Sequence, residues 1–303
     1  LKEDDAIGAI LWIGYPGGSG FYSVGKILNG EANPSGRLVD IYSKDFKKDP
    51  TFANFATNYT SAYTNQSGQN SGINFVEYDE GIYIGYRYYE TRGYVEDDDC
   101  AWYDDNVVYP FGYGMSYTTF TKKVTFLTNE LTATGDIKAQ VVVTNTGDYA
   151  GKEVVEMYYT APYIDNEIEK SHIVLGAFEK TNLLQPGESQ TLTVSMKVRD
   201  MASYDYNDAN ANGFTGYELD AGEYTVYVGE NSHVWADASA AKKEYTLADG
   251  ITYSTDGATG AEVKNRFDYV SAYFDENATG NWSGHSSVMS RTDFEGTFPQ
   301  PPT

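Results

Sequence analysis

From Thr119 onward apolar and polar positions trade places along the chain. The alternation runs through residues 122–127, 137–145, 154–159, 172–178, 190–198 and 224–229. A period of two marks a strand with one face in a core and the other in solvent. Turn spellings separate these segments: Asn145-Thr146-Gly147-Asp148, Gln185-Pro186-Gly187-Glu188 and Asp220-Ala221-Gly222-Glu223. Short strands with regular turns predict an antiparallel β-sandwich.

The first part of the chain has another texture. Residues 9–14 (A-I-L-W-I-G) form an apolar run without alternation, which suits a strand buried on both faces of a parallel sheet. Tyr15-Pro16-Gly17-Gly18-Ser19-Gly20 interrupts it. Residues 21–29 then read as a helix with Val24, Ile27 and Leu28 on one face and Asn29-Gly30 as its stop. Asn33-Pro34-Ser35-Gly36-Arg37-Leu38 turns the chain into a further strand. Strand, Gly-rich loop, helix and strand make a β-α-β unit, so a mostly parallel sheet is expected here. Ligands of such sheets sit beyond the carboxyl ends of the strands, where residues 15–20 lie. A phosphate cradle is the weaker reading of that loop, because no Lys-Ser/Thr and no G-x-G-x-x-G is present. A tight strand-to-helix turn is the plainer one.

Residues 45–74 are polar and without a clear period, as in a long loop or a set of short strands. The stretch 78–120 follows, on which the chain is organised. It opens Y-D-E-G-I-Y-I-G-Y-R-Y-Y and closes Y-P-F-G-Y-G-M-S-Y-T-T-F. Glycines at 81, 85, 112 and 114 suit positive φ or close backbone approach. Read by itself, the stretch is an aromatic connector wedging two domains together, with a packed turn leading into a strand.

The spellings go further. E-G-x-x-x-G-Y-R-Y-Y followed by P-F-G-Y-G-x-S-Y-T-x-F resembles the end of the α/β sandwich domain of glycoside hydrolase family 3, the β-glucosidase and β-xylosidase family. A-I-L-W-x-G-Y-P-G-x-x-G with N-P-S-G-R-L is similar to the second half of the same domain. V-T-N-T-G, G-x-E-V-V-E-M-Y, L-x-P-G-E-S and G-E-Y-T-V-Y-V-G resemble the fibronectin type III-like domain that follows it. The resemblance implies a partial α/β sandwich over 1–116, a fibronectin III-like β-sandwich over 117–235, and an extended linker with short strands over 236–303. The terminal prolines favour that extended form. The terminal S-R-T-D-F-E-G-T-F-P resembles the segment that leads into the catalytic (β/α)8 barrel in circularly permuted members.

What the resemblance implies for function is a non-barrel portion of a retaining, exo-acting β-glycosidase of β-glucosidase type. Its partners would be a β-linked oligosaccharide or glucoside and the barrel of the same protein. Retaining hydrolysis needs two carboxyl groups about 5–5.5 Å apart. The family's nucleophilic Asp lies in the barrel and its acid/base Glu upstream of the A-I-L-W strand, so neither catalytic residue is expected in this chain. Tyr15, Gly17, Gly18 and Tyr78 are the candidates for lining the substrate cleft; packing the turn is the other reading of them. A stand-alone carbohydrate-binding or scaffolding module is the alternative function.

Composition narrows the classes. Lys and Arg number 21 and Asp and Glu 44, a net charge of −23, which opposes nucleic acid and anionic membranes as partners. No apolar run reaches the roughly 20 residues of a membrane span. The single cysteine, Cys100, allows no internal disulfide. No cofactor motif is present, and His172, His233 and His285 have no metal-ligand spacing. Asp208, Asn210, Asn212 and Gly213 are spaced like the start of a calcium loop, but the twelfth position is Leu219. That loop and the acidic residues 96–105 are the two conceivable calcium sites; a plain turn and a solvated loop are expected instead. Asp293 and Glu295 would point to opposite faces of a strand, which separates them as an acid/base pair.

Overall fold

The computed structural model describes residues 4–54, 78–96, 100–265 and 288–299. Part of the polar stretch 45–74, the acidic residues 97–99 and His285 lie outside them.

Helix α1 (Gly17–Leu28) ends at Asn29, with Gly30 at φ +82° where the chain turns away. The short β1 (Tyr42–Ser43) and α2 (Pro50–Asn54) follow. Helices α3 (Tyr86–Glu96) and α4 (Ala101–Asn106) then lead into β2 (Val107–Tyr109). The only sheet this region contributes among the described residues is β1 with β2, and it is antiparallel. The mostly parallel sheet expected from the sequence is therefore absent here. Residues 9–14 are not a strand, and Ile10 and Trp12 are 51% and 62% exposed. A strand buried on both faces needs neighbouring strands and covering layers, and the described residues supply neither.

Within the aromatic connector, residues 86–96 form a helix. Its aromatics do not lie on one stripe: Tyr88 and Tyr89 are adjacent and both buried, each within 6.1 Å of Trp102 by ring centroid. Gly93 brings α3 against α4, its missing Cβ falling 3.0 Å from that of Tyr103.

The rest is the β-sandwich. Strands β3 (Phe120–Phe126), β4 (Asp136–Asn145), β5 (Val154–Thr160), β6 (Val174–Lys180) and β7 (Ser189–Lys197) are followed by β8 (Ser203–Asp205), β9 (Gly216–Leu219) and β10 (Gly222–Gly229). Then come β11 (Ala241–Leu247) and β12 (Ile251–Tyr253). One sheet has the order β3-β4-β7 and the facing one β11-β10-β5-β6, while β12-β9-β8 form a small third sheet. All pairs are antiparallel. The sequence reading closed the sandwich at 235; β11, paired with β10 from Gly222↔Leu247 to Val228↔Ala241, carries it further.

Between the sheets lies one core. Ile137, Ala139, Val141 and Val143 of β4 point in, while Lys138 and Gln140 face water. Val194 and Met196 of β7, Val155 and Met157 of β5, and Tyr224 and Val226 of β10 meet them. Each such side chain contributes about 1.5–3 kcal/mol by leaving water.

Strand β5 differs from the rest because both of its faces are buried. Val155, Met157 and Tyr159 enter the sandwich core, and Tyr158 enters a separate cluster with Ile173, Tyr227 and Val234, covered by Tyr86 and Phe111. The turn after β2 closes over this outer face. Gly112 sits there at φ +83°, and a Cβ on it would lie 2.3 Å from Glu156 Oε2 and 2.7 Å from the Tyr158 hydroxyl. Gly112→Ala therefore meets both a backbone penalty and a clash. Urea unfolding is expected to show a loss of about 2 kcal/mol or more; an unchanged midpoint would remove the tight closure from the account.

Candidate functional site

The candidate site is the seam between the aromatic helices and the β-sandwich. Three carboxylates organise it, Glu153 and Glu90 buried and Glu169 half-buried, each from a different stretch of sequence.

Glu153, just before β5, holds the N-P-S-G-R-L turn. Arg37 Nη2 donates to both of its carboxylate oxygens at 2.7 Å, and Lys122 Nζ lies 2.7 Å from Oε1. Arg37 Nη1 also donates to the Gly114 carbonyl. Asn33 donates to the Ala150 carbonyl at 3.0 Å and accepts from the Ser116 hydroxyl and the Tyr117 amide at 2.9 and 2.8 Å. Backbone pairing of Leu38 with Tyr113 and Gly112 completes the lock. The two spellings that carried the family resemblance thus bind one another and the sandwich.

Glu90 of α3 is fully buried. Its carboxylate accepts from the Tyr103 hydroxyl (2.8 Å), the Ser232 hydroxyl and Trp235 Nε1 (2.8 Å), and His233 Nδ1 lies 2.8 Å away. Ser232, His233 and Trp235 come from the turn after β10. A buried carboxylate is tolerable only when its lone pairs are met in this way. The Ser-His-x-Trp spelling and Glu90 are more than 140 residues apart, so no local signal links them, and the sequence analysis missed all four residues.

Glu169 fastens the terminal segment. It accepts from the Tyr83 hydroxyl, from Ser290 Oγ at 2.6 Å and from the Arg291 amide at 3.2 Å. The Arg291 guanidinium lies over Tyr163 at 4.3 Å and Tyr94 at 5.4 Å, and Phe294 packs edge-on to Tyr83 and Tyr88. Residues 288–299 are thus docked on α3 through turns, not run out as the extended linker or strand that the prolines and the Asp293–Glu295 spacing suggested. Asp293 Oδ1 accepts from the Gly296 amide at 2.8 Å.

The four cleft candidates lie apart from this seam. Tyr15 is fully exposed and Tyr78 is 74% exposed. Gly17 opens α1 at φ +65°, and nothing lies within 4 Å of a Cβ on Gly17 or Gly18. Among the described residues no three of His, Cys, Asp and Glu gather into a metal-binding group. His172 and His233 instead stack on Tyr94 and Tyr103 at 3.8 and 3.9 Å.

The comparisons with known proteins fit this layout. Residues 1–86 match the glycosyl hydrolase family 3 C-terminal domain, and residues 153–232 match the fibronectin type III-like domain. The chain belongs to glycosyl hydrolase family 3. It is 38% identical over 241 residues to β-glucosidase A of Butyrivibrio fibrisolvens, covering 76% of this chain and 26% of that protein. Against the β-glucosidase of Ruminococcus albus the identity is 35%, over 74% of this chain and 20% of the relative. The crystal structure of a β-glucosidase from Paenibacillus barengoltzii superposes with a TM-score of 0.60 at 36% identity, covering 77% of this chain and 22% of that one. The chain therefore spans about a quarter or less of the length of these family 3 relatives.

Two titrations in the seam have opposite signs. Burial pushes the Glu156 carboxyl up to about 7, partly opposed by the hydrogen bond from Tyr158 and by Arg37 and Lys122. Its proton is held more tightly folded than unfolded. The stability it gives is complete below its ordinary value of 4.5 and is lost as the pH rises through 7. Burial, with Arg291 and His233 nearby, lowers His172 to about 3. The stability tied to His172 is complete above 6.5 and is lost as the pH falls toward 3. Glu156→Gln is expected to flatten the stability difference between pH 5 and pH 8 by up to roughly 3 kcal/mol. His172→Phe is expected to improve relative stability at pH 5. Urea midpoints across that range check both signs.

Proposed function

We propose that this chain is the non-barrel portion of a retaining, exo-acting β-glycosidase of β-glucosidase type, acting on terminal β-linked sugars. Its task is to brace the catalytic (β/α)8 barrel of the same protein and to supply part of the cleft wall, with the barrel following this chain as in circularly permuted members. The nucleophilic Asp and the acid/base Glu belong to polypeptide outside these residues. Tyr15, Gly17, Gly18 and Tyr78 are proposed to face the glucoside; their support is their exposure and, for the first three, their place at the head of α1.

One observation carries the reading. The buried carboxylates of the seam are taken up by structural donors: Glu90 by hydroxyls and rings, Glu153 by Arg37 and Lys122, and Glu156 by Tyr158. A general acid needs a carboxyl free to reach a glycosidic oxygen, and a nucleophile needs a free lone pair. These groups hold the seam closed instead.

The 303-residue chain is expected to hydrolyse an aryl β-glucoside at the buffer rate. A faster rate that Glu90→Gln or Glu156→Gln abolished would place the chemistry in this chain and overturn the proposal. In the full-length enzyme, Arg37→Ala is expected to cost about 2–4 kcal/mol, since Glu153 keeps only Lys122. Activity toward the glucoside should fall with it, and Arg37→Lys should recover part of both. Thermal unfolding read beside kcat/KM makes the comparison.

A further inference from the structure

The β-sandwich has an opening where two strand edges meet. Strand β6 ends the sheet β11-β10-β5-β6, and β8 ends the sheet β12-β9-β8. Between them, with walls from both strands and from the turn Val198–Met201 that precedes β8, lies a cavity of about 380 Å³. That is within the range of small-molecule sites. Gly176 of β6 leaves room for Met196 and Tyr159, which also line it. A Cβ on Gly176 would collide with Met196 Sδ and stand 3.4 Å from Tyr159 Cδ1.

Two buried hydroxyls face this space without a partner. Tyr159 is 8% exposed and Ser171 is 6% exposed. Both line the cavity, and neither hydroxyl has a hydrogen-bond partner among the described residues. Unlike the unpartnered oxygens of Tyr89, Thr160 and Glu218, neither is sealed from solvent, so the cavity is where each of them opens. A buried hydroxyl left unmet is costly, and a ligand oxygen here would relieve two at once. Burial pushes the Tyr159 hydroxyl up to about 12, opposed by the charge of Arg87, so at neutral pH it is an uncharged donor. Arg87 and Asp200, both exposed, stand at the rim, and neither forms an ion pair among the described residues.

The rest of the wall selects the chemistry. Ile82, Leu175, Met196 and Met201 make it apolar and polarizable, and thioethers make favourable contacts with the edges of aromatic rings. An oxygen on such a ring would accept from Tyr159 and Ser171. A pyranose fits less well, because most of its hydroxyls would be set against methionine and aliphatic side chains. An alkyl chain would leave both inner hydroxyls unmet. Arg87 and Asp200 cancel at the rim, which favours a ligand without net charge.

We propose that this cavity binds a small neutral phenol, its ring against Met196 and Met201 and its oxygen accepting from the Tyr159 hydroxyl. The site depends on neither the catalytic barrel nor the sugar cleft.

Methionine-methyl NMR of the 303-residue chain, titrated with phenol at pH 7, tests it. A Kd of about 1–10 mM is expected for a ligand of so few atoms. Nuclear Overhauser effects should run from the phenol ring to the methyls of Met196 and Met201, a readout on the wild-type chain. Tyr159→Phe keeps the ring and removes only the hydroxyl. It should weaken binding about fivefold or more, and Ser171→Ala about twofold. Because the Tyr159 hydroxyl has no partner to lose, Tyr159→Phe should leave the thermal midpoint no lower than wild type. No binding at about 50 mM phenol would overturn the site and leave the two hydroxyls to water. Binding that reports on other methionine methyls, or that Tyr159→Phe leaves unchanged, would overturn it as well. So would D-glucose shifting the Met196 and Met201 methyls where phenol does not. The aryl-glucoside assay is independent of these outcomes, so the two proposals can fail separately.

Discussion

Strand β5 has no side facing water, and the architecture follows from that. One row of its side chains completes the sandwich core, and the other row must be covered by something outside the sandwich. The cover is the α3–β2 region, held by the Tyr86–Phe111 stack at 4.4 Å and the Tyr86 hydroxyl, which accepts from the Leu175 amide at 3.0 Å. A polar residue on that covered row, Glu156, is accepted because Tyr158 donates to it at 2.7 Å. Removing the cover would expose an apolar row and a buried acid together, so the helices and the sandwich stabilise each other.

The sandwich was legible because its long strands, β4 and β7 above all, each state period two independently. In β4 the four inward residues are all fully buried, and the turn spellings at 145–148, 185–188 and 220–223 fall at the ends of strands. Strands β8 and β9 were missed because they are short and separated by an Asn-rich loop that reads as turn throughout. Helix α3 was missed for a different reason. Aromatics at 86, 88, 89 and 94 give no single stripe, since α4, the sandwich and the terminal segment each claim a different side of it.

The apolar run at 9–14 shows the converse limit. Composition states what a segment would bury, not whether the burying surface is present. The seam was hidden for a related reason. Asn33, Arg37, Glu90 and Glu169 each have a partner more than 80 residues away in sequence, and no periodicity reports such distances. Family spelling located the turns that meet there; only the coordinates show that Gly112 and Gly114 are small because Glu156, Tyr158 and the Gly36 carbonyl lie against them.

The triad of Arg37, Glu153 and Lys122 is directional in a way an oily patch is not. Apolar surfaces tolerate sliding, whereas a guanidinium whose Nη1 holds the Gly114 carbonyl and whose Nη2 holds Glu153 tolerates little rotation before both contacts part. A body attached by such a fork keeps its angle until it lets go altogether. The seating of the 33–38 turn on the sandwich should therefore be all-or-none, and heat or mutation would lower the share of seated molecules without blurring the angle in each one.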